Sequence, residues 1–96
     1  MITYDLMMGK TEKRPITVKV QDLQTSEVVS SAVVTHTPPN GGAAQTIPFT
    51  IDTLYINMVF GPFTTPGHHF VKVQAVGDAD VPSKPEVLYQ IRVRDA

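Results

Sequence analysis

The amino-acid sequence predicts an all-β fold, an antiparallel sandwich of about seven strands. Apolar and polar residues alternate with a period of two in run after run, which is typical of strands with one buried face. No long stretch carries the unbroken spacing of an amphipathic helix. Eight prolines and six glycines are spread along the chain and separate the runs.

Each predicted strand has one apolar row that needs a partner sheet to cover it, and two sheets packed face to face provide this. The rows, in chain order, are Ile2, Tyr4 and Leu6; Ile16, Val18 and Val20; Ala32, Val34 and His36; Ile47, Phe49 and Ile51; Leu54, Ile56, Met58 and Phe60; His69, Val71, Val73 and Ala75; and Val87, Tyr89, Ile91 and Val93.

Turn-forming residues lie between the runs, because Gly supplies positive φ, Pro fixes φ, and Asn or Asp hydrogen-bonds its own backbone. The segment TPPNGG, for example, predicts a strand connection with a turn at Asn40-Gly41. Pro48 interrupts its run and has no N–H for a ladder hydrogen bond, which predicts an edge strand or a strand end there.

Length and composition predict a single domain, residues 1–96, and exclude several classes of protein. The net charge of −1 argues against nucleic acid and anionic membranes as partners. The absence of cysteine excludes disulfides, thiolate chemistry and cysteine-bound metal. No apolar stretch is long enough to span a membrane, and no signal peptide is recognisable, so we expect a cytoplasmic location if the chain is complete.

Two stretches of the sequence carry a further pattern. Residues 18–35 contain Asp22, Thr25, Val28, Ala32 and Val33, and residues 65–78 contain Pro66, Gly67, Val71, Val73 and Ala75. These stretches resemble bacterial immunoglobulin-like and prealbumin-like β-sandwich modules, which usually have Tyr at the position of His69. The resemblance implies an immunoglobulin-like sandwich with a binding or structural role and no catalytic residues.

The three histidines are the first candidates for chemistry. His68 and His69 are neighbours on a strand, so their side chains point to opposite faces. His69 and His36 both lie in phase with inward rows near strand ends, which allows their side chains to pair across the rim of the core. A zinc site would need a further ligand, so we expect hydrogen-bonded histidines and neither a metal nor a cofactor.

Other catalytic patterns are missing from the sequence. No serine lies in a Gly-x-Ser-x-Gly setting, and no glycine-rich loop precedes a helix. Asp78 and Asp80 form the one close carboxylate pair, in a predicted hairpin loop that falls short of a calcium-binding pattern. We therefore expect a protein that is not an enzyme.

The best candidate site is a surface on the last two predicted strands. If these strands pair, apolar and basic side chains share one outer face, as is common at protein contacts. The residues are Phe70, Lys72, Leu88, Arg92 and Arg94, and Tyr55, Val59 and Phe63 are expected to extend the apolar part.

The function expected from these observations is that of a non-catalytic structural or protein-interaction module, in a larger surface or virion-like assembly. Recognition would use an outer sheet face or an exposed edge strand, with another protein or a second copy as partner. The alternative is a small-ligand or carbohydrate-binding module with Tyr55, Phe63 or Tyr89 as a stacking platform.

Overall fold

The computed structural model describes residues 2–20, 29–39, 41–77 and 86–94. These residues form eight strands and no helix, which confirms the all-β prediction. The strands are β1 (Ile2–Met8), β2 (Arg14–Lys19), β3 (Val29–Thr37), β4 (Gln45–Thr46), β5 (Phe49–Asp52), β6 (Tyr55–Phe60), β7 (Gly67–Gly77) and β8 (Val87–Val93).

The strands form two sheets, one of five strands in the order β1-β8-β7-β3-β4 and one of three in the order β2-β6-β5. Neighbouring strands are antiparallel except for β1 and β8, which pair in parallel. The antiparallel pairing predicted for the sandwich is thus dominant, and period-two patterning, which does not encode strand direction, did not indicate the one parallel pair.

The core lies between the two sheets and contains most residues of the predicted apolar rows, although Tyr4 and Ile51 are exposed. The alternation places Val71, Val73 and Ala75 of β7 on the same buried face as Val87 and Ile91 of β8. From the opposite sheet, β2 and β6 contribute Val18, Ile56, Met58 and Phe60. Burying each such side chain stabilises the fold by about 1.5–3 kcal/mol.

The strand predicted at residues 47–51 begins only after its proline, as β5, and the two-residue strand β4 lies before the predicted run. Pro48 separates β4, which pairs with β3, from β5, which pairs with β6 in the other sheet. The chain thus crosses between the sheets at Ile47 and Pro48, and the expected strand end at Pro48 is confirmed. β4, which no predicted run included, accounts for the eighth strand where about seven were predicted.

The row of β1 is less buried than its pattern suggests. Ile2 and Leu6 are half-buried and Tyr4 is exposed, although Tyr4 stacks on Tyr89 of β8 with ring centroids 5.2 Å apart. The second sheet has fewer strands, so it does not cover the inner side of this edge strand completely. The resemblance residues Asp22, Thr25 and Val28, the carboxylates Asp78 and Asp80, and the turn residue Asn40 lie outside the described residues.

Candidate functional site

The outer face of the five-stranded sheet contains four of the five residues of the predicted surface in two adjacent strands. β7 and β8 pair antiparallel, with Lys72 opposite Leu88, Phe70 opposite Gln90 and His68 opposite Arg92. Alternation places all of these side chains on the face away from the core. The predicted pairing of the two strands, and the shared face, are therefore present.

Exposure and charge differ among these residues. Phe70 is 39% exposed, whereas Leu88 is half-buried beneath its neighbours. The Nζ of Lys72 lies 3.5 Å from Oε1 of Glu86, so its charge is partly balanced, while Arg92 is exposed in the next row. Phe70 and Leu88 thus form the apolar centre of this face, and Arg92 makes one side of it basic.

Arg94 lies apart from this centre. It follows the end of β8, and its backbone N–H donates to the Met8 carbonyl oxygen at 2.9 Å. Its guanidinium is near Gly9, since a Cβ built there would be 3.7 Å from Nη2 of Arg94. Arg94 therefore lies at the end of β1 rather than beside Phe70.

The expected extension of the apolar surface was wrong. Tyr55 and Val59 are exposed, but they belong to β6 and face outward from the three-stranded sheet, on the other side of the molecule. Phe63 is buried. The structure instead adds Val33 of β3 and Met7 of β1, both exposed and both in outward rows of the five-stranded sheet.

The three aromatic residues considered as a stacking platform for a sugar differ in exposure. Phe63 and Tyr89 are buried in the core and only Tyr55 is exposed. The alternation already placed Tyr89 in an inward row, so this outcome could have been read from the sequence.

The predicted pairing of His36 and His69 is present at one end of the core. His36 lies on β3 opposite Val71 of β7, which makes His69 its diagonal neighbour on the inner face. The two rings stack with centroids 5.0 Å apart, and Nε2 of His36 lies 2.8 Å from Nδ1 of His69. Both are buried, with exposed fractions of 8% and 2%, whereas His68 points outward and is exposed.

The hydrogen bonds determine the tautomers of both rings. Nε2 of His69 lies 2.7 Å from the Thr65 carbonyl oxygen, which can only accept, so this nitrogen carries the hydrogen. In neutral His69 the other nitrogen, Nδ1, is then the acceptor, and Nε2 of His36 donates to it. The unprotonated Nδ1 of neutral His36 has no protein partner within the described residues.

Burial lowers the pKa of His36 below its ordinary value, and positive charge on His69 would lower it further. Near neutral pH, His36 is therefore an uncharged ring with a lone pair on Nδ1.

A cavity of 390 Å³ opens beside the histidine pair. Phe63 packs against both rings, with centroids 4.5 Å from His36 and 5.1 Å from His69. The rest of the cavity lining is partly polar and includes Pro38, Gln45, Pro62 and Thr64. No sequence pattern indicated this cavity, because its walls come from loops and strand ends that only the fold brings together.

The described residues contain no group of three or more His, Asp and Glu side chains that could hold a metal ion. The described part of the chain also has no helix long and apolar enough to cross a membrane. No protein-family model matches the chain, and no curated protein sequence is significantly similar to it.

Proposed function

We propose that this protein is a non-catalytic interaction module that binds a protein partner through the outer face of β7 and β8. The observation that carries the proposal is the position of Phe70, an aromatic side chain 39% exposed in the middle of a strand, between two rows that contain Lys72 and Arg92. A large apolar side chain on an open sheet face gains stability when a partner removes it from water. Aromatic and Arg side chains dominate the energetics of protein contacts.

The charges indicate the kind of partner that fits. Arg92 and Arg94 are exposed beside or beyond the apolar centre, and Glu86 already balances Lys72. We therefore expect the partner surface to be apolar at its centre and acidic on the side that meets Arg92. A second copy, or another subunit of a larger surface or virion-like assembly, falls within this description.

The finer classification, an immunoglobulin-like or prealbumin-like module, is part of the same proposal. It is supported by the two sheets, and by the second resembling stretch, which forms the central strand β7 from Gly67 onward. Modules of this kind serve as spacers, adhesive tips or decorations, which agrees with a role in binding.

The test compares substitutions on the two outer faces of the sandwich. Phe70→Glu places a charge at the centre of the proposed contact, and Val59→Glu places one on the outer face of the three-stranded sheet, where Val59 is 51% exposed. Both positions are exposed on an outer sheet face, so both variants should fold, as checked by circular dichroism. The readouts are the solution mass across a concentration series and the recovery of partner proteins on immobilised chain.

We expect Phe70→Glu to abolish the association or partner recovery that uses the face of β7 and β8, and Val59→Glu to leave both unchanged. If both variants assemble and recover partners as the parent protein does, the face of β7 and β8 is not the contact.

A second candidate function, binding of a small neutral ligand, is favoured by the Nδ1 atom of His36. His36 lines a cavity whose 390 Å³ volume falls within the range of small-molecule sites. A ligand that fits would donate a hydroxyl or N–H group to Nδ1 and contact the proline and Phe63 walls. Sugars meet the first requirement through their hydroxyl groups.

Glucose, galactose and mannose are suitable probes for this candidate, titrated while the ¹⁵N resonances of the histidine rings are followed. Binding should shift Nδ1 of His36 and spare the exposed His68. His36→Gln is the matched control, because its amide can still donate to His69 but the ring acceptor is gone. Unchanged His36 resonances with all three sugars would remove them as ligands.

A further inference from the structure

The free edge of β1 is the longest unprotected strand edge in the described part of the chain. The four edge strands there are β1 and β4 of the large sheet and β2 and β5 of the small one. β4 has two residues, β2 contains Pro15, and β5 begins directly after Pro48. β1 has seven residues and no proline. Proteins commonly protect their edges by such shortening and by proline, so β1 is the exception here.

The hydrogen bonds at the two ends of β1 show which of its residues face away from β8. The N–H of Ile2 donates to Glu86, and the carbonyl of Met8 accepts from Arg94. The even-numbered residues therefore pair with β8, and Thr3, Asp5 and Met7 present their N–H and C=O groups to the open side. These outward groups are a template for another strand.

One end of this open edge is already occupied. Nη2 of Arg14 donates to the Met7 carbonyl oxygen at 3.1 Å. Glu12 holds the guanidinium by accepting from both Nε and Nη2 of Arg14. The Gly9 N–H and Arg14 together lower the pKa of Glu12, so its carboxylate stays charged and the arrangement persists well below neutral pH. Of the three outward residues, Thr3 and Asp5 are left to receive a partner.

We propose that a second copy of this chain pairs with this edge, β1 against β1 in antiparallel orientation about a two-fold axis at Tyr4. In this register Thr3 of one copy faces Asp5 of the other, so the exchanged backbone hydrogen bonds use the two residues that are free. The Thr3 hydroxyl also lies opposite the Asp5 carboxylate, a favourable cross-strand pair.

The neighbouring registers are disfavoured by features of the same strand. A shift that centres the axis on Asp5 would place two like charges directly opposite each other and would need the Met7 carbonyl that Arg14 occupies. A shift to Leu6 would need the same carbonyl. Registers that place an odd-numbered residue opposite an even-numbered one would put the inner face of one strand beside the outer face of the other.

Tyr4 supplies the apolar contribution to this contact. It is 48% exposed in the inward row, because the small sheet does not cover it, and it is already stacked on Tyr89. At the two-fold axis the Tyr4 rings of the two copies become direct neighbours and cover each other. The two large sheets then form one continuous sheet, whose outer face carries the Phe70 surface twice. This contact does not depend on the face of β7 and β8 proposed above.

Single-cysteine variants of the cysteine-free chain test the register directly. Tyr4→Cys, Asp5→Cys and Leu6→Cys place one thiol at the two-fold position of each register compared above, and Met7→Cys is an exposed control on the same strand. After mild oxidation at a concentration where light scattering shows a dimer, we expect Tyr4→Cys to give the largest covalent fraction, at least several-fold above Met7→Cys. The opposed Cα atoms would lie within disulfide range.

A second experiment removes the backbone donor itself. Thr3→Pro deletes an outward N–H without touching the ladder to β8, and should convert the dimer to monomer. Thr17→Pro is the matched control on β2, where the bond from Val20 to Leu54 shows that odd-numbered residues point away from β6. Phe70→Glu should leave this dimer intact, which separates it from the contact proposed above.

Three results would overturn the proposal: a monomer at every concentration, strongest cross-linking at Asp5→Cys, Leu6→Cys or Met7→Cys, or a dimer that survives Thr3→Pro.

Discussion

Nε2 of His36 donates a hydrogen bond to Nδ1 of His69 at 2.8 Å, and Nε2 of His69 in turn donates to the Thr65 carbonyl oxygen. A proton added to His36 binds Nδ1 and leaves this chain of hydrogen bonds intact. A second proton would place hydrogens on both facing nitrogens, Nε2 of His36 and Nδ1 of His69, so the bond between the rings would be lost. The buried pair therefore tolerates one added proton and not two.

The pair should make stability depend on pH. Burial holds the pKa of His36 below its ordinary value of 6.5, so the unfolded state binds the proton more readily than the folded state. The free energy of unfolding should therefore fall as pH decreases below about 6.5, until the folded pKa is reached. Urea unfolding between about pH 7.5 and 5.5 measures this slope.

His36→Gln should flatten the slope, because the amide does not titrate and can still donate to His69. His68→Gln serves as control, since His68 is exposed on the outer face, and it should keep the slope of the parent protein. Equal slopes in all three proteins would show that His36 does not cause the dependence.

Removing one histidine ring should lower the free energy of unfolding by more than half of the loss that results from removing both rings. His69→Leu leaves the Nε2–H of His36 without its acceptor, and such an unpaired buried group costs about 1–3 kcal/mol. The double variant with His36→Leu removes both partners, so its loss should be smaller than the sum of the single losses by about 0.5–3 kcal/mol. Chemical denaturation of the four proteins completes the cycle, and additive losses would argue against coupling between the rings.

Gly61 should be the least replaceable of the glycines near the cavity. It has φ of +91°, and a Cβ there would collide with the Glu12 carbonyl oxygen. Gly61→Ala should destabilise by about 2–5 kcal/mol, from the left-handed backbone and the overpacking together. Gly41→Ala isolates the first cause, because Gly41 has φ of +72° and open space around a Cβ. Equal melting temperatures for the two variants would contradict the clash at Gly61.

Thr53 is a site where substitution should stabilise the protein. It occupies the turn between β5 and β6 with φ of +56°, a region unfavourable for a β-branched side chain. Asn adopts this conformation readily, so Thr53→Asn should raise stability by about 1 kcal/mol. That gain corresponds to about 4–8 °C in Tm for a domain of this size.

Thr50→Asn, in the extended backbone of β5, is expected to have the opposite effect on stability, because Asn is depleted in strands. It should lower Tm slightly, and a Tm increase in both variants would point to a cause other than the turn.

Much of the site follows from alternation alone. The phase of Val71 and Val73 turns His69 inward and His68 outward, and the same argument turns Phe70 and Lys72 to the surface, as observed. The argument fails at Tyr4, which is in an inward row yet exposed, because burial there depends on how far the second sheet extends.

The sequence alone indicates the all-β class, the face to which most side chains point and the strand end at Pro48, because these depend on local periodicity and on backbone chemistry. In contrast, the parallel pairing of β1 with β8, the burial of Phe63 against both histidines and the cavity beside them arise from the folded arrangement. These features join residues far apart in the chain, and a repeat of two residues carries no information about which strands become neighbours.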